Sequence, residues 1–233
     1  MSRYVVTGAN RGLGLELVRQ LLARGERVIA GCRRPGQAQA LNQLAGAYPG
    51  HLHVLPLDAA SERSIVEFAR EAALVAERVD VLINNAGVLI AGERFGTVQA
   101  TALAESFAVN ASAPLLLVQA LAPLLRAAAP GACVINLSTQ LASLAQASAF
   151  RTVSYAMSKA AQNMATRCLA AELTPQGIGV AAVHPGWVRT DMGGAQAPLA
   201  PADAAAALLR FVNALQPAQH GGFYACDGTS LPW

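Results

Sequence analysis

Short apolar runs alternate with longer helical stretches from one end of the chain to the other, and this alternation constrains the fold more than any other feature. The runs predict strands at Tyr4–Thr7, Arg27–Cys32, Leu52–Pro56, Val79–Asn84, Ala132–Ser138, Ile178–Val183 and Gly222–Ala225. Helical spacing predicts helices near Leu13–Arg24, Gln37–Tyr48, Ser61–Val75, Thr101–Arg126, Ser154–Leu173 and Pro201–Leu215. Val79–Ile83 and Val180–Val183 are apolar almost without interruption, as strands buried on both faces are. The expected fold is α/β: a doubly wound parallel sheet with right-handed crossovers and helices on both faces. No repeat or low-complexity linker divides the 233 residues, so one domain is expected over residues 1–233.

Composition excludes several other classes. Apolar residues make up 54% of the chain and charged residues 13%, the balance of a globular protein. A net charge of +3 with scattered arginines gives no footprint for nucleic acid. Gln119, Pro123 and Arg126 interrupt the most apolar stretch, Ala113 to Ala129, which reads as a buried helix and not a membrane span. Met1-Ser2-Arg3 leads straight into the first strand without the pattern of a signal peptide. Cys32, Cys133, Cys168 and Cys226 are widely spaced, as in a reduced, cytoplasmic protein. His51 and His53 share a strand face, but nothing nearby completes a ligand set, so no metal is expected.

The first strand runs into Thr7-Gly8-Ala9-Asn10-Arg11-Gly12-Leu13-Gly14, which opens the first helix. Glycines there permit a tight turn and let backbone approach a pyrophosphate, while the helix N-terminus supplies N–H donors and a positive dipole end. A glycine turn alone is weak evidence; its place in the first βα unit makes it a dinucleotide loop. Gly8, Asn10, Arg11, Gly12, Leu13 and Gly14 are the candidate contacts. In NAD enzymes an acid some 20 residues on binds the ribose 2′-hydroxyl. Here the second strand ends Ala30-Gly31-Cys32-Arg33-Arg34 with no acid. Two arginines stand where a 2′-phosphate would lie and Arg11 adds a third charge, so the expected cofactor is NADP.

Of seventeen basic residues sixteen are arginine, and Lys159 is the only lysine. It lies four residues after Tyr155, one helical turn along the same face. Phenol near pKa 10 is a poor acid/base at neutral pH, and a nearby ammonium favours the phenolate. Arginine would be bulkier and would present a fork where lysine presents a compact charge.

With Asn84-Asn85-Ala86-Gly87 after the fourth strand, Asn110 in the long fourth helix and Pro185-Gly186-Trp187-Val188-Arg189-Thr190 after the sixth, these motifs stand in the order found in the short-chain dehydrogenase/reductase family, which the chain resembles over nearly its whole length. The G-x-x-x-G-x-G spacing of the loop resembles that family also. His184 to Gly194 and the ending Asp227-Gly228 with Leu231-Pro232-Trp233 resemble its C-factor/sniffer group of carbonyl reductases. The resemblance implies a Rossmann fold. It makes Tyr155 the acid/base, Lys159 a ribose ligand that tunes it, and Asn110 the holder of a water linked to Lys159. It places Asn85, Ala86 and Gly87 beside the cofactor, Asp58 at the adenine, and Pro185, Gly186, Val188 and Thr190 around the nicotinamide. By its position alone Asp58 could equally cap the helix that follows.

The family carries a catalytic serine after the fifth strand, as the second of two. Asn136-Leu137-Ser138-Thr139 puts Thr139 there, which keeps the hydroxyl and adds a methyl that restricts χ1. Ser138 is the fallback, with strand alternation pointing it the other way. Trp187 and Trp233 could line a pocket or pack in the interior. The implied function is reduction of an aldehyde or ketone, or the reverse oxidation of an alcohol. The alternative is an NADP-binding signalling protein of C-factor type. The short Gly-, Ala- and Pro-rich segment after Thr190 suggests a mobile lid over an apolar substrate. The resemblance also implies a homodimer or homotetramer through the fourth and fifth helices, which the apolar run Leu115–Leu125 supports.

Overall fold

A computed structural model describes residues 1–233. The strands are β1 (Arg3–Thr7), β2 (Arg27–Cys32), β3 (Leu52–Pro56), β4 (Val81–Asn84), β5 (Ala132–Leu137), β6 (Ile178–His184) and β7 (Phe223–Ala225). They form one sheet in the order β3-β2-β1-β4-β5-β6-β7. Every pairing in it is parallel. The principal helices are α1 (Gly12–Ala23), α2 (Gln39–Ala47), α3 (Glu62–Val75), α4 (Ala100–Phe107), α5 (Ala113–Arg126), α6 (Val153–Leu173) and α7 (Pro201–Ala214).

The apolar strands separate two cores. Successive strand residues point to opposite faces. Thus Tyr4, Val6, Ile83, Ile135 and Val183 join α1 and α7 on one side, with Leu17, Leu21, Leu208 and Leu209. Val5, Ile29, Leu82, Val134 and Val180 join α3, α5 and α6 on the other, with Phe68, Leu117, Leu121 and Leu173. Each such side chain contributes about 1.5–3 kcal/mol by leaving water, so polar alternation has no place in these strands.

The expected Thr101–Arg126 helix is interrupted. A π-helical turn, Ala108–Ser112, joins α4 to α5 without a break in the helical run. Pro114 has no N–H for the α-type bond to Asn110, which favours a wider turn there. The run is apolar enough to span a bilayer by composition, but Leu117, Leu121 and Leu125 are buried against the sheet. β4 begins at Val81, two residues later than its apolar run, because the Val79 N–H is taken by the Leu124 carbonyl.

Chain order reverses between β1 and β4. Loops leaving the C-terminal ends of these neighbours diverge to opposite faces and open a crevice there. The glycine loop, the Asn85–Gly87 segment, Thr139 and the His184–Thr190 segment all leave strands at this end.

Candidate active site

The crevice floor is tied together before any ligand enters. Thr7 Oγ1 accepts hydrogen bonds from the Asn85 and Ala86 N–H groups at 3.0 and 2.9 Å. Asn85 Nδ2 returns two, to the Thr7 and Gly8 carbonyls at 2.8 and 3.1 Å. Gly8 has φ +64°, and a Cβ there would sit 2.8 Å from Ala86 Cα. A side chain at Gly14 would overlap the Gly8 carbonyl and the Asn85 amide. Arg11 is the N-cap of α1 and contributes no side-chain cap, and the Gly12, Leu13 and Gly14 N–H groups have no protein acceptor. A cradle with uncapped donors at a helix N-terminus fits a dinucleotide pyrophosphate. Leu13 is buried beneath the loop, while Asn10 is exposed on it.

Arg33 and Arg34 are exposed just past β2 and neither pairs with a carboxylate. Arg11 differs: its Nη1 lies 2.5 Å from Asp191 Oδ2, across the mouth of the crevice. Asp58 does not cap α3. Ser61 does, accepting from Ser64 N, and Asp58 folds back to accept from Ala60 N at 3.0 Å.

Tyr155 and Lys159 lie on the sheet-facing side of α6, 9% and 3% exposed. A Glu93 carboxylate oxygen accepts from Ser154 N at 3.0 Å and holds the start of this helix. Lys159 Nζ donates to the Leu137 carbonyl at 2.6 Å and to Gln162 Oε1 at 2.9 Å. The Tyr155 hydroxyl has no protein partner and is not sealed from solvent. Burial pushes the Tyr155 phenol up to about 12 and the Lys159 ammonium down to about 7. In the protein by itself loss of water drives each group toward its neutral form, so the expected lowering of the phenol by the ammonium depends on contacts that keep Lys159 charged.

Asn110 sits on the π turn, a feature frequent at functional sites. Its Oδ1 accepts from Val88 N at 2.8 Å, and its Nδ2 donates to the Val88 carbonyl and to Ser158 Oγ at 2.9 and 3.0 Å. The expected water link to Lys159 cannot use the Asn110 N–H groups, since both are taken. What the Asn110 amide does is clamp the strand-end segment: a Cβ on Gly87 would lie 3.2 Å from Asn110 Oδ1 and 3.9 Å from Lys159 Nζ.

Of the two candidate hydroxyls, Ser138 donates to Asn163 Oδ1 at 2.7 Å and is fully buried in that bond. Thr139 accepts only a long 3.3 Å bond from Leu141 N, which leaves its O–H free to donate. Pro185, Gly186, Val188 and Thr190 form the wall opposite the glycine loop, with Thr190 Cγ2 3.2 Å from where a Gly12 Cβ would lie. The lid that follows is pinned at its base: Arg189 N donates to the Leu199 carbonyl at 2.8 Å, and Val188 bridges to Leu199. Trp187 is 57% exposed and not packed inside, while Trp233 stacks on Phe223. Phe95 and Phe150, in the loops that flank α4 and α6, meet edge to face at 5.7 Å and stay largely exposed.

Three residues of this site were not anticipated: Thr7, Glu93 and Gln162. Gln162 had a readable signal. Tyr155, Lys159, Gln162 and Thr166 fall at i, i+4, i+7 and i+11, one helical stripe, and all four are polar and buried.

The whole arrangement has a counterpart among known proteins. Residues 3–198 match the family model described as short chain dehydrogenase. The chain belongs to the short-chain dehydrogenase family. It is 41% identical to the C-signal of Myxococcus xanthus over 155 residues, 66% of this chain and 93% of that protein. Among solved structures it superposes on the carbonyl reductase Sniffer of D. melanogaster with TM-score 0.94, at 34% identity over 100% of this chain and 99% of the other. The NADPH-bound carbonyl reductase from chicken fatty liver gives TM-score 0.94 at 35% identity, with the same coverage. This short-chain dehydrogenase is accordingly an oxidoreductase, and its crevice fits a nicotinamide cofactor by the uncapped amides of α1 and the space over Gly8.

Proposed function

We propose that this short-chain dehydrogenase is an NADPH-dependent reductase of aldehydes or ketones, reversible as an alcohol dehydrogenase. The observation that carries the reading is the buried pair on α6: a Tyr155 hydroxyl with no protein partner, one turn from the only lysine of the chain. A nicotinamide cofactor held by the glycine loop would supply the hydride that the carbonyl carbon takes up. Tyr155 delivers its phenolic proton to the carbonyl oxygen and recovers one from solvent. Thr139 donates a hydrogen bond to the same oxygen and orients it. Lys159 holds ribose hydroxyls with a donor left over from Leu137 and Gln162. Its charge, once fixed by those contacts, favours the phenolate that Tyr155 becomes. Arg33, Arg34 and Arg11 favour the 2′-phosphate, consistent with NADPH in the chicken enzyme. The exposed Phe95–Phe150 pair fits an apolar substrate at the rim.

The test is NADPH and NADH oxidation with a panel of aldehydes and ketones. The reading expects turnover with NADPH and a kcat/KM for NADPH at least tenfold above that for NADH. Equal values would remove the NADP assignment. Likeness to C-signal favours a second reading, a nucleotide-binding signalling protein. That reading expects cofactor binding without turnover on any carbonyl.

A further inference from the structure

α6 buries a residue whose chemistry the proton transfer does not use. Gln162 is fully buried, three residues past Lys159, on the stripe that faces β5. Its Oε1 is 2.9 Å from Lys159 Nζ, while its Nε2 has no protein partner. Burying an amide with an idle N–H group is destabilising, a cost that an apolar residue of similar size would avoid. The compensation is local. Lys159 is buried, and besides the Leu137 carbonyl Gln162 is its only acceptor in the protein.

We propose that Gln162 is a positioning residue for Lys159: its Oε1 and the Leu137 carbonyl take two of the three ammonium N–H bonds and so direct the third past Gly87 into the cofactor crevice. The ammonium is tetrahedral, so fixing two donors fixes the direction of the third. Gly87 lines that path, since a Cβ there would lie 3.9 Å from Nζ. Gln162 also sets how firmly Lys159 keeps its proton. The groups placed at Nζ carry no charge: the Leu137 carbonyl and Gln162 Oε1 accept from it, and the Gly87 backbone lies beside it. Tyr155, on the same helix, is the one titratable neighbour, and burial keeps it protonated at neutral pH. No carboxylate contributes to the lysine's titration, which burial alone lowers.

This inference rests on the reading that Lys159 serves the cofactor, but its test does not require turnover. Because the chain has one lysine, protein labelled with [15N]lysine gives a single side-chain signal whose titration is read directly. Gln162→Met keeps the volume and removes the acceptor; Gln162→Glu replaces the amide with a carboxylate. Titration of Lys159 should move down by about one to two pH units in the first and up by at least as much in the second. The fall in kcat at alkaline pH should move the same way in each variant, with KM for the carbonyl substrate little changed. A merely structural Gln162 would lower Tm in Gln162→Met and leave the lysine titration where it was. Unchanged titration in Gln162→Glu overturns the proposal, and so does a shift of the same sign in both variants. A shift of opposite sign in the two, in a protein that turns over no carbonyl, keeps the Gln162–Lys159 link and removes the proposed function instead.

Discussion

Asp191→Asn should tighten NADP binding and leave NAD binding alone. Arg11 is the one basic residue of the glycine loop, and its guanidinium is held by Asp191 at 2.5 Å. To serve a phosphate it must first leave that carboxylate. Both side chains are open to solvent, 64% and 75% exposed, so water screens the pair and it is worth about 0.2–1 kcal/mol. That range converts to a gain of about 1.4- to 5-fold in Kd for NADP. NAD has no 2′-phosphate to recruit Arg11, so its Kd should stay within error. Titration calorimetry with NADP and NAD, at 50 and 300 mM salt, measures all four values. The gain should shrink at the higher salt, where the Debye length is shorter. The decisive control is Asp191→Asn in an Arg11→Ala background, where the gain should disappear because the two residues act as one unit. A gain that persists without Arg11, or that appears equally with NAD, would refute the competition between Asp191 and the phosphate.

Thr139→Ser should keep or raise kcat, whereas Thr139→Ala should lose about 100- to 1,000-fold, the usual cost of one oxyanion donor, in steady-state assays with a carbonyl substrate. A normal kcat in Thr139→Ala would return attention to Ser138. Lys159 also predicts a pH dependence of stability. Folded Lys159 titrates near 7 and the unfolded side chain near 10.5, so across that window the unfolded chain binds the extra proton and stability rises with pH. Relative to Lys159→Met, the wild type should gain about 2 kcal/mol between pH 7 and 9 in urea denaturation; a flat difference would show that Lys159 is hydrated. A homodimer or homotetramer is expected through the Ala100–Arg126 run and α6, where Met157 and Met164 stand 47% and 66% exposed, and a monomer by light scattering at micromolar concentration would contradict it.

Much of this protein is legible in its residues taken in order. Strands such as Val180–Val183 carry apolar side chains on both faces, and only a sheet covered twice can bury both, so the α/β class follows from local pattern. The 3.6-residue period puts Tyr155 and Lys159 on one face without any knowledge of the rest of the fold. The glycine loop is readable because its requirement, space for backbone, belongs to the loop itself. Tertiary structure decides what depends on two distant segments meeting. Strand order places β1 beside β4 and so makes the crevice. Asn85 reaches back 78 residues to the Thr7 carbonyl, and Arg11 reaches 180 residues forward to Asp191. Asn110 looked like a helical residue and is one, but its amide is aimed by a π turn and by Val88, which no periodicity encodes. The ionisation of the phenol–ammonium pair is of the same kind. Spacing shows that two groups are neighbours, but how much water each has lost is a property of everything packed around them, and here burial raises the phenol and lowers the ammonium.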